Sequence, residues 1–157
     1  MINKDFLFEL FAKGKLETVD PSDDICQAYI NKSRSYFSSA KILSENHKHE
    51  ESVSMSYYSM YYVVLALFFK VGIKSENHTA TIQLLKEIFS IDNSKINFAK
   101  KERVDKQYYV DFNVTETDAK SLIEIAEKFN SDILDFIAKM QISEEIRYQD
   151  KLRNLLK

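Results

Sequence analysis

Residues 52–70 read SVSMSYYSMYYVVLALFFK, with no charged residue between Ser52 and Phe69. A stretch this apolar is either a membrane span or the central helix of a bundle. A span needs about 20 predominantly apolar residues. Here Ser52, Ser54, Ser56 and Ser59 crowd the first half, and Tyr57, Tyr58, Tyr61 and Tyr62 each carry a hydroxyl in need of a partner. The stretch therefore reads as a core helix closed by Gly72. A helix apolar on all sides has to be covered on all sides. Three or four other helices, or a second subunit, must surround it.

The rest of the chain agrees with a helical answer. Its 157 residues suit one domain, and 45% hydrophobic against 29% charged is a globular balance. Only 2 Gly and 1 Pro are present, too few for the tight turns of an all-β fold. Gly14 and Gly72 alone cannot spell a phosphate-cradling loop. Cys26 is the sole cysteine, which excludes an intrachain disulfide and a cysteine-rich zinc site. The net charge of −2 gives no global attraction to nucleic acid. Asp5 and Glu9 interrupt the apolar stretch of the first fifteen residues, unlike the centre of a signal peptide, so a cytoplasmic protein with no membrane association is expected.

Caps parse the remaining helices. A short helix runs over 3–13, with Phe6, Leu7, Leu10 and Phe11 on one stripe and Gly14 after its end. Residues 15–21 are extended. Ser22 caps a long helix whose stripe is Ile25, Tyr29, Ser33, Tyr36, Phe37, Ala40 and Leu43, and ENHKHEE at 45–51 is a loop. Asn77 or Thr79 caps a helix ending at Phe89, with Ile82, Leu85, Ile88 and Phe89 inward. Another starts within 92–94 and carries Ile96, Phe98 and Ala99. QYYVDFNV is strand-like but has nothing to pair with, so it reads as a connector. Thr115 and Asp118 form a capping-box pattern ahead of the best-patterned helix, which carries Ala119, Leu122, Ile123, Ala126, Phe129, Ile133, Phe136, Ile137 and Met140; Ser143 begins a last charged helix. The expected architecture is all-α, an up-down bundle in a single domain spanning 1–157. It comprises an N-terminal helical arm at 1–20, a bundle at 22–140 and a charged C-terminal helix at 143–157.

Little in the chain carries chemistry. His47 and His49 lie two apart in a charged stretch, which does not share a helix face, and no carboxylate pair or HExxH is present, so no metal and no cofactor are expected. Cys26 lies by the apolar stripe, as a buried and inert thiol does. Asn31, Asn77 and Asn113 begin chance glycosylation triplets. The tyrosine stripe of 52–70 reads as core rather than as a base-stacking surface. The segment KINFAKKERVDK is different. Residues 95–106 carry net +3, from Lys95, Lys100, Lys101, Arg103 and Lys106 against Glu102 and Asp105, and lead into Tyr108 and Tyr109. Basic residues beside aromatics suit a phosphate backbone; a solvated helix face with ion pairs is the plainer alternative.

Three landmarks between Ile25 and Ile137 resemble the HEPN family, a prokaryotic helical-bundle family often encoded beside minimal nucleotidyltransferases. They are AYINKSRSYFSSAKILSENHKHE; the aromatic helix with Gly72 at its end and His78 opening the next; and ERVDKQYYVDF followed by DAKSLIEIAEKFNSDILDFI. The resemblance implies a HEPN-type bundle, a homodimer, and a toxin–antitoxin-type component that binds RNA or a nucleotide in a dimeric groove. Lys100, Lys101, Arg103, Lys106 and Tyr109 would make the binding surface. Catalytically competent members carry an Arg and, a few residues later, a His implicated in metal-independent RNA cleavage. Arg103 matches the Arg, and Tyr108 stands in place of the His. A His moves protons near neutral pH with a pKa of about 6.5, whereas Tyr sits near 10, so binding is retained while ribonuclease activity is weak or lost. The five-residue step would separate the pair by about 140° on a regular helix, which fits a site shared by two subunits. His78 is the remaining proton-transfer candidate; the plainer reading has it bonding a local backbone group. The resemblance also implies that a partner nucleotidyltransferase modifies Tyr108 or Tyr109 with adenylate. The alternative expectation is a non-catalytic module that docks that partner, marked by an exposed apolar patch.

Overall fold

The computed structural model describes the backbone of residues 2–108 and 113–157, and their side chains apart from those of 105–108. Seven helices lie among the described residues: α1 (Lys4–Ala12), α2 (Asp23–Glu45), α3 (His49–Lys70), α4 (His78–Phe89), α5 (Ser94–Tyr108), α6 (Glu116–Lys139) and α7 (Ile142–Leu155). The fold is an all-α bundle of the expected type.

α3 is the axis. From Val53 to Phe68 nearly every residue is buried, and α2, α5 and α6 supply most of the cover. Although α3 is long and apolar enough to cross a membrane, the chain's own helices enclose it. Of the two covers expected, the chain's other helices supply it, and a second subunit is not needed for this. Its serines explain how a polar helix half can be buried. Ser33 Oγ donates to Ser59 O at 2.6 Å and Ser52 Oγ to Ala40 O at 2.7 Å, joining α2 to α3. Ser59 Oγ donates to Ser56 O at 2.7 Å and accepts from Asn130 Nδ2 of α6 at 3.1 Å. The hydroxyl protons of Ser33, Ser52 and Ser59 each reach an acceptor, while the buried Ser56 Oγ has no partner.

The caps fall close to their expected places. Asn3, Ser22, Asn77 and Thr115 accept from Phe6, Ile25, Ala80 and Asp118 backbone N–H groups, and Thr115 with Asp118 completes a capping box. α3 begins at His49, so the loop is confined to 46–48. Glu50 and Glu51 belong to its first turn, where carboxylates face the positive end of the helix dipole. α7 is capped by Gln141 with Glu144, two residues before Ser143. α5 continues through Gln107 and Tyr108, which shortens the expected connector; residues 109–112 lie outside the described residues. The buried line of α2 passes through Cys26, Ile30, Ser33, Ala40 and Ser44, leaving Ile25 exposed, and Phe98 of α5 is exposed as well.

One pairing escaped the sequence reading. β1 (Leu16–Thr18) and β2 (Ile73–Ser75) form an antiparallel ribbon in the register Leu16↔Ser75, Glu17↔Lys74 and Thr18↔Ile73. Three-residue strands are too short to show an alternating pattern. Gly72 leads into β2 at φ +78°, against Val19 O, Pro21 and the Gln149 amide. Gln149 of α7 donates to Val19 O at 2.8 Å and Gly72 O at 3.0 Å. The ribbon thereby ties α1 and α7 to the end of α3.

Candidate functional site

The amino end of α4, one face of α5 and the middle of α3 meet around His78. Asn77 closes the first turn of α4 and so fixes where His78 and Thr79 leave the backbone. On α3, Tyr57 and Tyr61 are one helical turn apart and share a face. His78 lies flat on Tyr61, ring centroids 3.9 Å apart at 12°, and its Nδ1 shares a 2.7 Å hydrogen bond with the Tyr57 hydroxyl. The expected backbone partner of His78 is therefore replaced by a side chain of the core helix.

α5 brings two cations to the same place. Lys100 Nζ donates to Thr79 Oγ1 at 2.6 Å. Arg103, three residues on, donates from Nη1 to the Tyr58 hydroxyl at 3.2 Å, and its guanidinium carbon lies 5.2 Å and 5.3 Å from the Tyr57 and Tyr58 ring centroids. Such packing holds the planar guanidinium against aromatic faces.

The electrostatics follow from burial and these neighbours. His78 titrates below its ordinary range because burial disfavours its charged form and Arg103 and Lys100 repel it. It is held neutral at pH 7. Burial lowers the Lys100 ammonium too, with Arg103 adding repulsion. Burial and the neighbouring Tyr61 raise the Tyr57 hydroxyl well above the usual tyrosine range, against a downward pull from Arg103, so it stays protonated. Nε2 is then the imidazole nitrogen left for a ligand. It is a donor when Tyr57 donates to Nδ1 and a base when Tyr57 accepts. Two cations, a neutral imidazole and a helix amino end suit an anion.

Of the residues expected from sequence, His78, Lys100 and Arg103 are brought together. Lys101 is exposed on the adjacent face of α5. The side chains of Lys106 and Tyr108, and the whole of Tyr109, lie outside the described residues. Sequence reasoning missed Tyr57, Tyr58, Tyr61 and Thr79 as site residues. The i, i+4 spacing of Tyr57 and Tyr61 was a signal for a shared face, but not for what that face holds. Cys26 is buried and its thiol pushed up chiefly by that burial. No three of the described His, Cys, Asp and Glu side chains gather into a metal-binding group.

No match to the chain was found among curated proteins. The family model described as the HEPN domain matches residues 26–136, most of the chain, and that span holds every residue of the site above. Such a match supports a nucleotide- or RNA-related role at the level of the family. From Cys26 in α2 to Phe136 in α6, the chain belongs to the HEPN domain family.

Proposed function

We propose that this HEPN protein binds the phosphate of RNA or of a nucleotide at Arg103 and Lys100, as a cytoplasmic component of a toxin–antitoxin type. One observation carries the reading. The two cations of α5 converge on the amino end of α4 beside a neutral His78, in a chain whose net charge is negative. A phosphate there gains bidentate bonding from arginine and a point charge from lysine. Metal-independent cleavage is weak or absent, because Tyr108 occupies the motif position that a histidine fills in competent relatives. The active species is a homodimer, and a minimal nucleotidyltransferase that transfers AMP from ATP to the hydroxyl of Tyr108 or Tyr109, releasing pyrophosphate, would add a tethered anion to the sequence motif that holds Arg103.

The test is Arg103→Ala, read by RNA and nucleotide binding across salt concentrations. Weaker binding with a shallower salt dependence supports the proposal. Unchanged binding with lowered stability makes Arg103 a structural residue. For catalysis, Tyr108→His introduces a group that titrates near neutral pH, and the expected result is RNA cleavage above that of the wild type. Strong cleavage by the wild type would overturn the degenerate reading.

A second reading has its own observation. Phe8 and Phe11 on α1 are 39% and 48% exposed, one turn apart. An apolar pair of this kind suits a non-catalytic module that docks a protein partner. Loss of partner capture in Phe8→Ser/Phe11→Ser, with RNA binding unchanged, would favour it.

A further inference from the structure

α3 is buried along its length except on one line. Tyr58, Tyr62 and Phe69 are half-buried, and α2 sets Tyr29 and Tyr36 beside them. The rings form a ladder along the seam of the two helices. Tyr58 and Tyr62 lie 6.1 Å apart at 24°, Tyr62 and Tyr29 6.0 Å at 23°, and Tyr29 and Phe69 5.4 Å at 9°. Tyr36 closes on Tyr62 edge-on at 5.0 Å. From Tyr58 to Phe69 the ladder spans eleven residues of helix, about 16 Å at the helical rise.

Its charge environment is one-sided. Residues 25–44 of α2 hold Lys32, Arg34 and Lys41 and no acid, and α3 is uncharged from 52 to 69. The acids gather elsewhere: α6 alone carries Glu116, Asp118, Glu124, Glu127, Asp132 and Asp135. Lys32 makes no ion pair among the described residues, and its ammonium sits 4.3 Å from the Tyr62 ring centroid. Tyr58, at one end of the ladder, is the ring that accepts from Arg103. Burial and the neighbouring Tyr36 raise the Tyr62 hydroxyl to about 12, so the ladder's central ring brings no negative charge. The Phe69 end lies beside Lys70, which pairs with Asp23 and Glu145. A run of half-buried aromatic rings with Arg103 at its Tyr58 end, Lys32 over Tyr62 and no acid of α2 or α3 between the two matches a polyanion that also presents flat π-faces. A single-stranded nucleic acid is that ligand, whereas a duplex hides its base faces in its own stack.

We propose that the α2–α3 seam is a track for an unpaired RNA strand. One phosphate sits at Arg103 and Lys100, another at Lys32, and a base stacks on the Tyr58–Tyr62 stretch between them. The proposal rests on the phosphate-binding reading above and adds a second subsite and a substrate class.

The experiment uses the full chain, a labelled single-stranded RNA oligonucleotide, the same strand annealed into a duplex, and AMP, with anisotropy for the RNAs and calorimetry for AMP. The wild type is expected to prefer the single strand over the duplex at equal salt. Lys32→Gln should weaken single-strand binding and flatten the log–log salt dependence by about 0.7, the share of one phosphate contact. Tyr62→Leu should weaken it by roughly 5- to 150-fold, the usual cost of losing one stacked base. Both variants should bind AMP as the wild type does, because the Arg103 subsite is untouched. Lys32→Gln alters a surface side chain and keeps the test decisive if Tyr62→Leu folds poorly. Wild-type affinity for the single strand in Lys32→Gln, or a duplex bound as tightly as the single strand, overturns the track. A dimer that becomes monomeric in Tyr62→Leu with unchanged RNA affinity gives the seam to a second copy of the chain and overturns it too. AMP binding without RNA binding ends the track and leaves the phosphate site standing; binding of neither ends both.

Discussion

At the scale of single residues, the chemistry of this protein concentrates on one imidazole. His78 is stacked on Tyr61, bonded to Tyr57 and repelled by Arg103 and Lys100. Its folded-state pKa lies below the unfolded value near 6.5. As pH falls, the unfolded chain takes up the proton first, so the contribution of His78 to stability is full above about 6.5 and drains away below it. The expected outcome is a urea midpoint that falls between pH 7.5 and 5.5 in the wild type and falls less in His78→Gln. A histidine with a raised pKa would give the opposite trend. Tyr57→Phe removes the hydroxyl that orients the ring. It should cost about 1 kcal/mol of stability and weaken nucleotide binding, while Phe keeps the aromatic face beneath Arg103. Unchanged binding in Tyr57→Phe would show that the ring's orientation is irrelevant to the ligand.

At the scale of elements, caps and one glycine do most of the positioning. Asn77→Ala removes the side-chain acceptor for Ala80 N–H and should cost about 1 kcal/mol by chemical denaturation. Since His78 and Thr79 follow directly, the same substitution should also weaken nucleotide binding, whereas Thr115→Ala at the start of α6 should cost similar stability and leave binding alone. Gly72→Ala places a methyl against Val19 O and the Gln149 amide at a φ of +78°. Backbone strain alone is about 1–3 kcal/mol for such a residue, so a large fall in melting temperature is expected. These elements were largely legible in the sequence, because caps and periodicity are local signals. Ser22, Asn77, Thr115 and the buried line of α6 could be read from a few neighbouring residues. The β1–β2 ribbon could not, since three-residue strands 57 positions apart, Glu17 against Lys74, carry no local mark of each other. The site was legible in part. Arg103 and Lys100 stood out by charge and His78 by scarcity, but their convergence depends on how α4, α5 and α3 pack. Tyr57 and Tyr61 share the spacing of any core residues, so nothing local separates a ring that orients an imidazole from one that fills space.

At the scale of the molecule, the bundle covers most of α3 without help, so the burial of α3 does not call for a dimer. The exposed Phe8 and Phe11 of α1, one turn apart, are one aromatic candidate surface. If they join two copies, light scattering at high micromolar concentration should give a dimeric mass that Phe8→Ser/Phe11→Ser halves; a monomeric wild type would remove the dimer from the proposal. The polar seam of Ser33, Ser59 and Asn130, meanwhile, has a consequence for alignment. Apart from that seam and the Ser52 Oγ bond to Ala40 O, α2, α3 and α6 meet mainly through apolar side chains, which tolerate sliding by a turn. Asn130 reaches Ser59 Oγ, and Ser33 the Ser59 carbonyl, only at one relative height of the three helices. That uniqueness has a cost, because Asn130 Oδ1 and Ser56 Oγ have no partner inside, and a stranded buried acceptor costs about 1–3 kcal/mol. The seam works as a key cut into an oily lock: it gives up stability to fix one registration, and with it the height at which Tyr57, one turn from Tyr61 and two residues before Ser59, meets His78.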